Sequence, residues 1–283
     1  MTATTALPLI GDAATALARQ ALDSVAQIVD GTPARGYPAG GSGVIVNPRG
    51  LIVTNAHVVR GRSANVTLHD GTGLEGRIVA REDAVDLAAL SVEREDLAAL
   101  EFGDSRALRP GQLVLAVGHP QGLADAVTLG VISRPPAEGD QRELIASNIT
   151  LNHGNSGGPL LDASGRLIGV NAMVAGPGLG LSIPAQTVRR FIAQHVDPRP
   201  HIGVTVQGVD AGLIVTDVQP ESPAEAAGLI PGDIIVAVAG AHVGGYTTLI
   251  DALIEAGVGG SLRLDLERAG QPLTVTAKVV AKA

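Results

Sequence analysis

The chain contains no cysteine, which excludes disulfides, thiolate metal sites and a cysteine nucleophile. Aromatic residues are nearly missing: Tyr37, Phe102, Phe191 and Tyr246 are the whole set among 283 residues, so the core has to be aliphatic. Lysine occurs only at positions 278 and 282 and the formal net charge is −8. No basic or aromatic-interleaved face is legible, so no nucleic-acid partner is expected. The acidic balance favours solubility and names no partner. No apolar run reaches membrane-spanning length. The longest early run, Leu7 to Ile10, is interrupted by Pro8 and follows no basic cluster. The expectation is a soluble chain without a secretory signal, cytoplasmic as given, or of the cell envelope if the chain is trimmed. A GxxxxGK[ST] loop is absent, and the seven histidines show no HxxxH spacing or companion carboxylate suited to zinc. Neither a cofactor nor a metal is expected.

What is present points to two domains. The length is enough for two cores, and 45% hydrophobic with 17% charged residues is ordinary for a globular protein. Residues 12–30 read as a helix running into a short strand, and 31–42, rich in Gly and Pro, as a loop. From Gly43 onward short β-type runs dominate. Asn47-Pro48-Arg49-Gly50 separates two of them as a hairpin turn, and the succession of short strands with Gly-rich turns predicts a sandwich or barrel. Residues 187–196 read as a closing helix and 197–200, Asp-Pro-Arg-Pro, as a stiff linker. The remaining residues, 201–283, hold five strand-like runs and two helices. One helix opens with a Ser222-Pro223-Ala224-Glu225 capping box and stops at Gly228, and the other spans 246–256.

Three local patterns carry chemistry. TNAHVV (54–59) places a histidine just past an apolar strand, VDLAAL (85–90) an aspartate just before one, and GNSGGPLL (154–161) a serine in a glycine-rich turn that leads into one. Acyl transfer by serine needs a base within hydrogen-bond reach, a third group that fixes the tautomer of the base, and backbone N–H groups aimed at the developing oxyanion. Ser156, His57 and Asp86 fit these roles, and their chain order of His, Asp, Ser is that of the chymotrypsin barrels. Asp83, in the charged turn Arg81-Glu82-Asp83, reads as a solvated neighbour.

With these motifs the chain resembles the HtrA/Deg family of serine proteases, which join a trypsin-like double β-barrel to PDZ domains. The segment GHPQGLADAVTLGVIS (118–133), the strands LIGVNAMV and GLSIP, and SPAEAAGLIPGDIIVAVAG in the C-terminal region extend the likeness to about 270 residues. The resemblance implies a mainly β fold: an N-terminal helix and lead-in over 1–36, a chymotrypsin-like double barrel over 37–196 whose first strand begins near 24, the linker, and a β-rich PDZ domain with two helices over 201–283. It implies a catalytic triad of His57, Asp86 and Ser156 and an oxyanion hole made by the N–H groups of Gly154, Asn155 and Ser156. Asn171, Ala172, Met173, Val174, Leu181, Ser182 and Ile183 would line a pocket for small or medium aliphatic side chains. His201, Ile202, Gly203 and Val204 would form a carboxylate-binding loop for C-terminal peptides. The implied function is ATP-independent cleavage of unfolded or damaged proteins, the alternative being a protease-like holdase with a resting oxyanion hole. His153 stands where the family usually has Pro, and Asn148 where it usually has Asp. The family's trimers form through N-terminal aromatic residues, and residues 1–36 contain none.

Overall fold

The computed structural model describes residues 3–31, 40–119, 126–136, 143–176, 178–196 and 199–282, apart from the side chains of residues 3–10 and of Ala175. The expected domain start at residue 37, part of the 118–133 segment and residues 197–198 of the expected linker lie outside the described residues. The chain divides into two compact units, Met1–Phe191 and Ile192–Ala283.

The first unit opens with helix α1 (Ala3–Leu22), which starts earlier than the alanine and leucine spacing after residue 12 suggests. The β-branched run that follows leaves the helix and forms β1 (Val25–Val29). Strand β1 joins β2 (Gly40–Asn47), β3 (Leu51–Thr54), β4 (Ser63–Thr67), β5 (Gly73–Glu82) and β6 (Leu87–Ser91) in a closed barrel of order β1-β2-β3-β6-β5-β4. The β2–β3 hairpin turns where the sequence indicates. Asn47 Oδ1 accepts the Arg49 N–H at 2.8 Å, and the strands pair Val44 with Val53 and Ile45 with Ile52. A second closed barrel follows from β7 (Leu113–Gly118), β8 (Ala126–Arg134), β9 (Ile145–Ser147), β10 (Pro159–Asp162), β11 (Leu167–Gly176) and β12 (Leu179–Pro184), in the order β10-β11-β12-β9-β8-β7. Closure removes the free edges that short strands would otherwise expose. Ile28, Ile45, Ile52, Val66 and Leu90 fill the first barrel, and Val114, Ile132, Ile145, Leu160 and Ile168 the second, as the scarcity of aromatics requires. Helix α2 (Ala185–His195) ends the run, two residues ahead of its expected start.

The second unit has a pair of short strands, β13 (Pro200–His201) with β20 (Val280–Ala281), and a larger sheet. The sheet runs β14 (Val204–Val209), β15 (Gly212–Val218), β16 (Ile234–Val238), β18 (Ser261–Arg268) and β19 (Gln271–Lys278), with β17 (Ala241–His242) pairing β16. Its helices are α3 (Pro223–Ala226) and α4 (Tyr246–Ala256). The capping box forms with one change. Ser222 Oγ accepts the Glu225 N–H at 3.2 Å, while Glu225 Oε2 accepts the N–H of Glu221, one residue before the cap, at 2.7 Å.

Beneath this sheet the fully buried Asp233 accepts Arg268 Nε at 2.7 Å, Arg268 Nη2 at 2.9 Å and the Ile230 N–H at 3.0 Å. The Arg268 hydrogen bonds hold its carboxyl below the ordinary carboxylate range; burial opposes them, and the Ile230 N–H and the Arg268 charge add to them. A value lower in the folded than in the unfolded state gives stability that is complete above about pH 4 and is lost as pH falls through the folded value. The protection factors of amides in β16 and β18 of the full chain should therefore fall below about pH 4. Asp233→Asn should flatten that dependence, and an unchanged pH profile in the variant would refute the assignment.

Candidate active site

His57 stands on a single 3-10 turn, Ala56–Val58, directly after β3. Asp86 is the residue before β6 and adopts a left-handed backbone, φ 56°. Such a conformation costs about 1–3 kcal/mol in a non-glycine residue, and aspartate tolerates it better than most. The surroundings hold it there. The Ala56 N–H and Asn55 Nδ2 both donate to the Asp86 carbonyl at 3.1 Å. The carboxylate accepts the His57 N–H at 3.0 Å and lies 2.8 Å (Oδ2) and 3.0 Å (Oδ1) from His57 Nδ1. The Asp86 side chain is 23% exposed and that of His57 47%. A carboxylate against Nδ1 places the ring proton there and leaves Nε2 as the lone-pair nitrogen.

Ser156 is half-buried in the turn between residue 152 and β10, and its Oγ donates to the Ala172 carbonyl at 3.0 Å. Gly154 and Gly157 have φ of 102° and 84°. At Gly157 the need for glycine is steric as well: a Cβ there would lie 2.0 Å from the Ser42 carbonyl oxygen and 2.2 Å from Thr54 Oγ1. The N–H groups of the turn are unequally occupied. Asn155 donates to Asn152 O at 3.0 Å, Gly157 to Asn171 O at 2.8 Å and Gly158 to Asn155 O at 3.0 Å. Among the described residues, the N–H groups of Gly154 and Ser156 donate to no carbonyl. Asn155, counted among the oxyanion donors from sequence, thus has its N–H already used. His153 is exposed at the entrance of this turn.

One residue that the sequence reading missed holds the turn from across the seam between the barrels. Ser42, fully buried on β2, donates its hydroxyl to the Gly154 carbonyl at 2.7 Å and its N–H to the Ser156 carbonyl at 2.8 Å. It accepts the His119 N–H on Oγ at 2.9 Å and Thr54 Oγ1 on its carbonyl at 2.7 Å. Its signal in the sequence was only a serine amid glycines, GGSG. Ser42→Ala leaves two buried polar groups without partners, each worth about 1–3 kcal/mol. It should lower the rate constant of any reaction at Ser156 by about tenfold to a hundredfold, because small misplacements at a reacting centre have that scale of effect. A Ser42→Ala variant whose rate at Ser156 is unchanged would remove Ser42 from the account.

The residues expected to line a substrate pocket come together on β11 and β12, where Asn171 pairs with Ser182 and Met173 with Leu181. They divide by burial. Asn171 and Ser182 are buried and turned to each other, Ser182 Oγ donating to Asn171 Oδ1 at 3.0 Å while Asn171 Nδ2 donates to Pro159 O at 3.0 Å. Ala172, Met173 and Ile183 line a cavity of about 250 Å³ that also touches Asp86. Leu181 is half-buried and Val174 is 47% exposed. Asn148 Oδ1 accepts the Val131 N–H at 2.7 Å, a backbone contact of β8. Among the described residues no group of three or more His, Asp and Glu could hold a metal ion.

In the second unit a groove of about 310 Å³ is lined by Ile202, Gly203, Val204, Leu249, Ile250 and Leu253, with His201 beside them. The Ile202 and Gly203 carbonyls are turned into the unit, accepting Ala224 N at 2.8 Å and Gln219 N at 2.9 Å. Among the described residues, the Ile202 and Gly203 N–H groups donate to no backbone carbonyl. Two adjacent N–H groups above an apolar groove suit a terminal carboxylate.

Comparison with known proteins agrees with this division. The trypsin-like peptidase domain family matches residues 41–170, and the PDZ domain family residues 200–279. The chain is 37% identical over 273 residues to "Putative serine protease HhoB" of Synechocystis sp., covering 84% of this chain and 63% of that protein. It is 36% identical over 272 residues to "Putative serine protease HhoA" of the same organism, covering 83% and 69%. A "Probable periplasmic serine endoprotease DegP-like" from Chlamydia trachomatis is 38% identical over 269 residues, covering 83% and 54%. The chain thus spans between 54% and 69% of the length of these curated relatives. Among solved structures, the serine endoprotease from Yersinia pestis is 28% identical with a TM-score of 0.58, covering 95% of this chain and 98% of that one. The HtrA-type protease AlgW with decapeptide is 25% identical with a TM-score of 0.58, covering 95% and 99%.

Proposed function

The chain belongs to the HtrA-type, trypsin-like serine protease family with a PDZ domain, and from that membership we propose that it is a serine endopeptidase acting on unfolded or damaged proteins without ATP. The observation that carries this reading is the pairing of His57 Nδ1 with Asp86 at 2.8 Å, together with a serine turn in which, among the described residues, the Gly154 and Ser156 N–H groups donate to no backbone carbonyl. In the proposed reaction the Ser156 hydroxyl turns from the Ala172 carbonyl towards His57 Nε2 and gives up its proton as Oγ attacks the peptide carbonyl. The Gly154 and Ser156 N–H groups receive the oxyanion. Asp86 stabilises the imidazolium, which then protonates the leaving amine, and water releases the acyl group by the same steps. Ala172, Met173 and Ile183 supply the apolar part of a cavity that Asp83, Asp86, Glu143 and Arg190 also line, so the small or medium aliphatic preference rests on the family resemblance. The groove at Ile202–Val204 supports recognition of a peptide C-terminus. The structure of the AlgW protease with a decapeptide is consistent with a family that handles short peptides.

A second reading, a protease-like holdase, draws on one observation: Ser156 Oγ is hydrogen-bonded to the Ala172 carbonyl. A fluorophosphonate probe and unfolded casein separate the two. The endopeptidase reading expects covalent labelling that peptide mapping places on Ser156, together with casein degradation. A protein that neither labels nor cleaves across temperature and with added C-terminal peptides overturns the endopeptidase reading.

A further inference from the structure

The turn that carries His57 is short. Its own backbone bonds are Val58 N–H to Asn55 O at 3.2 Å and Val59 N–H to Ala56 O at 3.3 Å. A 3-10 turn of this length has poor hydrogen-bond geometry and little stability of its own. Something outside it has to fix the imidazole relative to Asp86. Part of that task falls to Asp86 itself, which is bonded to the His57 N–H and ring.

A second tether comes from Arg81, near the end of β5. Its Nη1 donates to the Ala56 carbonyl at 2.8 Å and to the Val59 carbonyl, the two ends of the His57 turn. Its Nε and Nη2 donate to Asp83 Oδ1 at 3.0 and 2.5 Å. The Asp83 carbonyl in turn accepts the Asp86 N–H at 3.3 Å. A single guanidinium therefore touches both the segment that holds the base and the loop that holds its carboxylate. Only the planar fork of arginine offers donors in these several directions at once.

We propose that Arg81, oriented by Asp83, is a positioning residue for the catalytic pair: it fixes the His57 turn against the Asp86 loop. The Arg81–Asp83 ion pair contributes little to the stability of the fold, since Asp83 is 76% exposed and Arg81 32%. Loss of the ion pair alone, as in Asp83→Asn, should therefore show in catalysis rather than in folding, whereas loss of Arg81 also takes a donor from the carbonyls of the buried residues Ala56 and Val59. The inference rests on the reading of His57 and Asp86 as base and partner.

The test compares wild type, Arg81→Met, Arg81→Lys and Asp83→Asn in the full chain. Each is assayed for kcat and KM on a soluble peptide, for melting temperature, and for the His57 Nδ1 proton resonance by NMR. Arg81→Met should lower kcat about tenfold with KM little changed, the scale expected when a reacting group is slightly misplaced, and should lower the melting temperature modestly through the lost carbonyl hydrogen bonds. The Nδ1 proton resonance should shift or broaden. Arg81→Lys should recover only part of the loss, since an ammonium cannot span both carbonyls and Asp83, and Asp83→Asn should fall between Arg81→Met and wild type. An Arg81→Met protein with wild-type kcat and an unmoved Nδ1 resonance overturns the proposal, as does a kcat loss with that resonance unmoved. If wild type itself neither cleaves nor labels, the protease reading fails, and the resonance alone decides whether Arg81 sets the pair.

Discussion

Replacing Ser156 by alanine should lower kcat on casein or a peptide by about 10⁶-fold, the scale seen when the nucleophile of a serine triad is removed. Fluorophosphonate labelling should vanish with it. The fold should survive the change. The hydroxyl makes one hydrogen bond, to the Ala172 carbonyl at 3.0 Å, worth about 1 kcal/mol. The backbone of the turn keeps its anchors, because the Ser156 carbonyl stays bonded to the Ser42 N–H at 2.8 Å. A variant with a normal thermal transition and no labelling therefore isolates chemistry from folding. Persistent labelling at another residue would place the nucleophile elsewhere and sink the assignment.

The second large effect is expected at Asp86. Asparagine fits the left-handed backbone of this position, φ 56°, about as well as aspartate, and keeps the carbonyl that accepts Ala56 N and Asn55 Nδ2. What it changes is the group that faces His57. An amide NH₂ turned to Nδ1 drives the ring proton to Nε2, and Nε2 can then no longer take the proton of Ser156. Serine proteases with this substitution lose about 10⁴-fold in kcat with their geometry intact. Asp86→Asn should do the same with KM nearly unchanged. A loss under about tenfold would mean that another group orients His57, contrary to the role assigned to Asp86. Together the two variants should order the site, with the proposed nucleophile indispensable and the proposed orienting carboxylate nearly so.

The parts of this molecule that were legible in the sequence are those whose cause is local. Gly157 must be glycine because a Cβ would strike Ser42 O, and GNSGGPLL carries that necessity as a pattern. The strand alternation and the hairpin at Asn47–Gly50 follow from residues within a few positions of one another. Ser42 and Arg81 were not legible for the opposite reason. Ser42 reaches Gly154 across 112 residues and Arg81 reaches Ala56 across 25, and both act on backbone carbonyls, which leave no mark on the identity of the residue contacted. Asp83 read as a solvated turn residue, and its 76% exposure agrees, yet it also aims the Arg81 guanidinium. The N–H inventory of the serine turn was likewise hidden. That Asn155 donates to Asn152 and Gly154 does not is a matter of dihedral angles, which a glycine-rich motif permits without dictating.

The seam at Ser42 has a consequence for the life of the chain before it is finished. The nucleophile turn belongs to the second barrel, while Ser42, which holds the Gly154 and Ser156 carbonyls and which Gly157 approaches closely, lies on a strand of the first. Neither barrel alone contains a complete site. A nascent or half-folded chain, which is itself the kind of substrate proposed here, carries Ser156 on a turn with no clamp and with His57 on the other barrel. On the proposed function, cleaving ability would arise only when both barrels have closed and met, and the chain would gain its activity at the moment it stops being a substrate.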